Sequence, residues 1–286
     1  MRVRVGDVRL FFDVEGAKVV PEGPRLRDKP TLLLLHGGPG FDHAMLKPWF
    51  APLQDVAQLV YLDHRANGQS DRQAVDALDL NRWADDVPAF CEALGIERPI
   101  VLGVSFGGFV AQAYAIRHPH HPRALVLCNT AARAREDRAL AVFQRLGGGE
   151  AREAAAAFFA EPSPATLAEY ARVCTPLYNR RPQDPDIMTR GLLNANLDLC
   201  LSFFANEWRR FDLLAGLAAV RCPTLVVGGT EDPITPLADS EDIAAAIPPQ
   251  HVRFERFAGC GHPVYQDEPE RFIRLLRDFI AEAARA

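Results

Sequence analysis

A serine between two glycines, an aspartate in a proline-flanked loop and a histidine after a second glycine-rich turn are the residues of this chain best suited to covalent chemistry. Ser105 lies in "GVSFG" (residues 103–107), Asp232 in "TLVVGGTEDPITP" and His262 in "FAGCGHPVYQDEP". A serine hydroxyl is a poor nucleophile at pH 7. It needs a base to take its proton and donors aimed at the oxygen that turns negative during acyl transfer. In the order Ser, Asp, His, Asp232 would hold the His262 ring in one tautomer and stabilise the imidazolium. His262 would take the Ser105 proton and pass it to the leaving group. Such chemistry needs no cofactor and no metal. Taken singly, each residue has a blander reading: a small residue in a tight turn, a surface aspartate, a histidine after glycine. Four elements in the right order argue against coincidence.

The fourth element is "LLLLHGGPG" (32–40). Without a Cβ, glycine lets backbone approach closely and take positive φ. The N–H of Gly38 is therefore a candidate oxyanion donor, with the N–H of Phe106 as the second. Around Ser105, the strand "PIVLGV" and the helix "FGGFVAQAYAIRH" supply the strand-turn-helix setting that G-x-S-x-G requires. Gly107 and Gly108 let that helix start close to neighbouring backbone, and its N-terminus adds free N–H groups and a positive dipole end.

The elements that must position these residues follow from the apolar runs. Residues 31–36, 57–63, 99–105, 123–129, 223–229 and 251–257 read as buried strands, and residues 81–95, 106–118 and 236–247 as helices. Such alternation predicts an α/β fold, a mainly parallel sheet covered on both faces. The N-terminal "MRVRVGDVRLFFDVEG" alternates like a β-hairpin rather than a signal peptide, and would extend one edge antiparallel. Between about 131 and 216 the alternation gives way to alanine-rich helical segments punctuated by Pro162, Pro164, Pro176, Pro182 and Pro185. That segment is expected to be a helical cap inserted into a core of residues 1–130 and 217–286.

Composition excludes other classes. The chain has 286 residues, 48 % hydrophobic, and a net charge of −5. It can bury a large core and has no broad basic field for nucleic acid or anionic lipid. No segment approaches the roughly 18 unbroken apolar residues of a membrane span. A cytoplasmic protein is expected, acting on a small molecule or short peptide, with no nucleic-acid or membrane partner. Cys91, Cys128, Cys174, Cys200, Cys222 and Cys260 lie far apart with no C-x-x-C pair, which favours reduced thiols. Cys260, two residues before His262, is placed to line a pocket. His118, His120 and His121 in "RHPHHPR" read as a polar connector rather than a metal site.

With "HGGPG", "GVSFG", Asp232 and His262 in this order, the chain resembles an α/β-hydrolase. "HGGPG" and "DHRANGQSD" (63–71) resemble the proline iminopeptidase branch. The resemblance implies a structural role for Asp63 and Arg65. Ala66 stands where that pattern has glycine, so an altered or relaxed turn is expected. It also implies release of N-terminal proline from peptides, which requires carboxylates to hold the substrate ammonium, because a buried unpaired cation is costly. Pro233 occupies one position where relatives carry an acid. Asp198 and Glu207 are the remaining candidates from the cap, with a solvated helix face as the competing reading. Phe203, Phe204 and Trp208 could wall an apolar pocket or simply pack cap against core. Two other activities stay open: a carboxylesterase or lactonase on the same scaffold, and a non-catalytic binder of a small ligand.

Overall fold

The computed structural model describes residues 1–75, 78–181 and 184–285. Its strands are β1 (Arg2–Val5), β2 (Val8–Glu15), β3 (Val19–Glu22), β4 (Arg25–Asp28), β5 (Thr31–Leu35), β6 (Gln58–Leu62), β7 (Ile100–Val104), β8 (Ala124–Cys128), β9 (Thr224–Gly229) and β10 (Val252–Phe257). Its helices are α1 (Leu80–Ala93), α2 (Phe106–Arg117), α3 (Glu136–Ala160), α4 (Pro164–Val173), α5 (Asp186–Leu192), α6 (Leu197–Ser202), α7 (Leu237–Ala246), α8 (Val264–Asp267) and α9 (Pro269–Arg285). Eight strands form one sheet in the order β1-β2-β6-β5-β7-β8-β9-β10. From β6 to β10 all pairings are parallel, whereas β1–β2 and β2–β6 are antiparallel. This is the mainly parallel α/β sheet that the strand-helix alternation predicts, with the expected antiparallel extension at its N-terminal edge.

The reason lies in burial. Every residue of β5, β7, β8 and β9 is buried, because helices cover both faces of the parallel region. Strand β2 keeps an alternating pattern in its first half, as suits a strand near the sheet edge. One apolar cluster packs α1 and α2 on one face through Trp83, Phe90 and Tyr114, and a second packs α9 on the other through Phe272, Leu276 and Ile280. The polar β3–β4 hairpin stands apart from the sheet and carries no hydrophobic run that would announce it.

Helices α3 to α6 lie between β8 and β9. The two alanine-rich segments of the sequence meet at Gly148, whose φ of 71° kinks α3. Ser163 and Thr166 form a capping box that starts α4, with Pro164 in its first turn. Pro182 lies outside the described residues.

The turn after β6 differs from expectation. Ala66 keeps the left-handed conformation that glycine would take, at φ 62°, so the turn is not relaxed. Its neighbours hold it. Buried Asp63 accepts the His43 backbone N–H and the Gln69 N–H, both at 2.9 Å, and pairs with His43 Nδ1 at 2.8 Å. Arg65 makes a two-pronged pair with Asp86 at 2.7 and 2.6 Å and donates to Asp7 at 2.8 Å. Both residues are scaffold.

Close backbone packing at Gly107 gives a direct test. A Cβ there would lie 2.2 Å from the Leu35 carbonyl oxygen, which as strand backbone cannot yield. Gly107→Ala is expected to cost about 3 kcal/mol or more, read as a lower urea midpoint.

Candidate active site

The three candidate residues follow the C-terminal ends of β7, β9 and β10, the edge where ligands bind in open α/β sheets. Ser105 occupies a strained elbow, with φ 53° and ψ −118°, immediately before α2. Such backbone costs about 1–3 kcal/mol and persists only where its surroundings enforce it. Here Ser105 N–H donates to the Cys128 carbonyl at 3.1 Å, and Thr130 Oγ1 donates to the Ser105 carbonyl at 2.9 Å. A Cβ on Gly103 would lie 2.3 Å from Gly107 O, and one on Gly108 would lie 2.4 Å from Thr130 Oγ1. The glycines are therefore required by contact.

The loop after β5 reaches the same point. A Cβ on Gly37 would lie 3.4 Å from Ser105 Cβ. Gly38 has φ 132°, a conformation open to glycine. Gly40 fixes the loop by donating to Asn67 Oδ1 at 2.6 Å. Phe106 is the first residue of α2, so helix geometry leaves its N–H free for an incoming oxyanion.

Asp232 and His262 meet directly, with His262 Nδ1 2.8 Å from Asp232 Oδ2. Asp232 is 1 % exposed. Its Oδ1 accepts the Ile234 and Thr235 N–H groups, both at 3.0 Å, and its Oδ2 also accepts Thr235 Oγ1 at 2.9 Å and Asn129 Nδ2 at 2.8 Å. Burial pushes this carboxyl up, but the His262 charge and these donors outweigh it and hold it below the usual carboxylate range. The aspartate is thus kept ionised beside the imidazole.

Asn129, Tyr178 and Asp267 were not singled out by the sequence reading, and they organise the site. Asn129 follows β8 in left-handed backbone, at φ 46°. Its Nδ2 also donates to the Gly261 carbonyl at 3.1 Å, and its Oδ1 accepts the Val264 N–H at 2.9 Å. One side chain thereby joins the aspartate loop to the histidine loop. The available signal was an asparagine directly after a buried strand in "LVLCNT". Asn129→Ala is expected to destabilise the fold by about 2–4 kcal/mol, because several buried polar groups lose partners. Denaturant unfolding measures it.

Tyr178 and Asp267 strap the cap segment to the histidine. The Tyr178 carbonyl accepts His262 N–H at 2.6 Å, and the two rings meet edge to face at 5.4 Å. Asp267 accepts Gly261 N–H at 2.7 Å and the N–H groups of Arg180 and Arg181 at 3.0 Å. A Cβ on Gly261 would lie 1.9 Å from Tyr178 O. Near-neighbour sequence patterns do not announce contacts that span some 85 residues.

The two candidate amine-binding carboxylates have different settings. Asp198 is exposed on the first turn of α6. Glu207 accepts the Leu80 N–H at 3.2 Å and so caps the start of α1. Neither is hydrogen-bonded to Ser105, Asp232 or His262 among the described residues. Phe203, Phe204 and Trp208 pack cap against core. Phe203 stacks on Phe109 and meets Phe106 edge on, and Trp208 lies against Phe109 and Phe159. Cys260 is 2 % exposed within the core, where burial pushes its thiol up to about 11. All six cysteines are free and buried. His118 pairs with Asp85 at 2.8 Å, and His121 is hydrogen-bonded to the Tyr114 hydroxyl. Among the described residues, no helix is long and apolar enough to cross a membrane.

Known proteins are similar to this chain along almost its whole length. Residues 30–269 match the family model described as alpha/beta hydrolase fold. Proline iminopeptidase of Lactobacillus delbrueckii subsp. lactis is 30% identical over 273 residues, spanning 88% of this chain and 90% of that protein. 3-Oxoadipate enol-lactonase 1 of Acinetobacter baylyi is 25% identical, spanning 84% of this chain and 85% of that protein. The crystal structure of proline iminopeptidase from Mycobacterium smegmatis superimposes with a TM-score of 0.77 at 23% identity, covering 99% of this chain and 98% of that one. The chain therefore belongs to the α/β-hydrolase family, in its proline iminopeptidase-like branch.

Proposed function

We propose that this protein is a serine hydrolase that forms an acyl-enzyme on Ser105. The observation that carries the reading is the buried Asp232–His262 pair at 2.8 Å, tied through Asn129 to the strand beside the strained Ser105 elbow. In the proposed reaction His262 Nε2 removes the Ser105 proton as Oγ attacks the substrate carbonyl. The N–H groups of Gly38 and Phe106 receive the oxyanion, and imidazolium protonates the leaving group. Water then repeats the sequence to release the acid. Residues 131–216 act as a cap over the sheet edge, fastened to the histidine loop by Tyr178 and Asp267.

The substrate class has two readings. Relatives named proline iminopeptidase at up to 30% identity, together with "HGGPG", favour release of an N-terminal proline. The exposure of Asp198 and the Leu80 N–H bond of Glu207 favour a small ester or lactone instead, since neither carboxylate is hydrogen-bonded to the proposed triad. A fluorophosphonate probe, a proline anilide and short-chain nitrophenyl esters separate the readings. Labelling with ester turnover alone identifies the ester or lactone reading. Anilide cleavage that falls at least tenfold in Asp198→Asn or Glu207→Gln restores the peptidase reading. Absence of both labelling and turnover overturns the enzyme and leaves a ligand-binding protein.

A further inference from the structure

The opposite end of the sheet carries a second candidate site. Arg98, Arg123 and Arg221 precede β7, β8 and β9, three adjacent parallel strands. Their leading ends lie side by side, since Arg123 N–H donates to Pro99 O and Leu125 N–H donates to Pro223 O, both at 2.9 Å. A cleft of about 140 Å³ is lined by these three arginines and by His120, and prolines form much of its remaining wall. A larger one of about 500 Å³ shares Arg98 and Arg123 and adds Lys18, Asp28, Glu97 and the apolar Ile96.

What marks the small cleft is that three unpaired arginines line it together. Many arginines elsewhere are matched to carboxylates, as in Arg9–Asp71, Arg117–Asp85, Arg145–Glu231 and Arg209–Glu136, and others, such as Arg2, Arg4, Arg25, Arg152 and Arg210, are single unpaired charges that line neither cleft. Among the described residues, Arg98, Arg123 and Arg221 have no carboxylate within ion-pair distance. Three like charges on neighbouring strands repel one another unless an anion sits among them. On a chain of net charge −5 this concentration is local. Guanidinium groups present planar paired donors that suit tetrahedral oxyanions. At about 140 Å³ the small cleft has room for one phosphate group but not for an extended polyanion.

We propose that this end of the sheet binds a phosphomonoester of a small polar molecule. Its phosphate sits among Arg98, Arg123 and Arg221. The organic part runs across the shared arginines into the larger cleft, where Asp28 and Glu97 accept hydroxyl hydrogens and Ile96 offers apolar surface. The strands separate this site from Ser105, so it does not depend on the hydrolase reading.

Isothermal titration at about 150 mM NaCl, where diffuse surface attraction is screened, tests it with two probes: inorganic phosphate and ribose 5-phosphate. Saturable one-to-one binding of both is expected, with ribose 5-phosphate at least tenfold tighter. Arg123→Gln should weaken both probes about tenfold or more, and Glu97→Gln should weaken ribose 5-phosphate alone. Arg98→Gln, on an exposed loop, repeats the arginine test if Arg123→Gln lowers the melting temperature. No saturable phosphate binding, or unchanged affinity in both arginine variants, overturns the site. Equal affinity for the two probes overturns the phosphomonoester assignment.

Discussion

Replacing Ser105 by alanine is expected to lower turnover of whichever acyl substrate the enzyme accepts by about 10⁴- to 10⁶-fold and to abolish fluorophosphonate labelling. The size of the effect follows from the nucleophile's position. The hydroxyl sits on a strained elbow, φ 53° and ψ −118°, close against the Gly37 backbone. No neighbouring hydroxyl can substitute, because Thr130 Oγ1 is committed to the Ser105 carbonyl. The fold should barely notice the change. The Ser105 N–H and carbonyl bonds remain, and alanine inherits the same strain. Glycine at this position, by contrast, should raise stability by about 1–3 kcal/mol by relieving that strain, while also losing activity. Thermal melts of both variants beside their kinetics separate the two effects: a melting temperature that rises for glycine and stays put for alanine is the expected pair. An alanine variant that retains turnover would overturn the acyl-enzyme proposal.

Asp232→Asn is expected to be the second most damaging change, lowering kcat/KM by about 10⁴-fold. Asp232 accepts from every direction. Oδ1 takes two backbone N–H groups, and Oδ2 takes His262 Nδ1, Thr235 Oγ1 and Asn129 Nδ2. An asparagine must aim its NH₂ at one of these donor sets. Facing the backbone, it breaks the turn that delivers residue 232. Facing His262, it invites Nδ1 to accept, which moves the ring proton to Nε2, where Ser105 needs a base. A loss of stability of about 1–3 kcal/mol should accompany the kinetic loss, because buried donors are left opposed. Asp232→Glu keeps the charge but shifts the carboxylate by a methylene, so its activity should fall by less than that of asparagine. Activity retained in Asp232→Asn would show that the His262 tautomer is held by some other group.

The strands β5 to β9 were legible because parallel, doubly covered strands must be continuous apolar runs, whereas edge strand β10, "VRFERF", showed only interspersed apolar residues; each observed strand ends within one residue of its run. The elbow was legible for a related reason. At Gly103, Gly107 and Gly108 any side chain would collide with backbone or Thr130, so the local spacing itself encodes the turn. Asp232 and His262 could be expected to meet because each follows a strand closely, and strand order fixes the edge on which it emerges.

Other features answer to contacts far apart in the chain. Asn129 reads as an ordinary polar residue until β8 is set between β7 and β9, where its amide reaches both Asp232 and Gly261. Glu207 reads equally well as an ammonium ligand or as a surface charge, and nothing in its own stretch of sequence announces that it accepts the Leu80 N–H, 127 residues away. Arg98, Arg123 and Arg221 are scattered in sequence and become a cluster only because their strands are neighbours. By itself the sequence determined which atoms could attack, accept and donate, since residue type and local backbone geometry settle that. Tertiary structure alone decided which charges were spent on the scaffold and which were left facing a cleft, because pairing between distant segments depends on where the folded chain brings them.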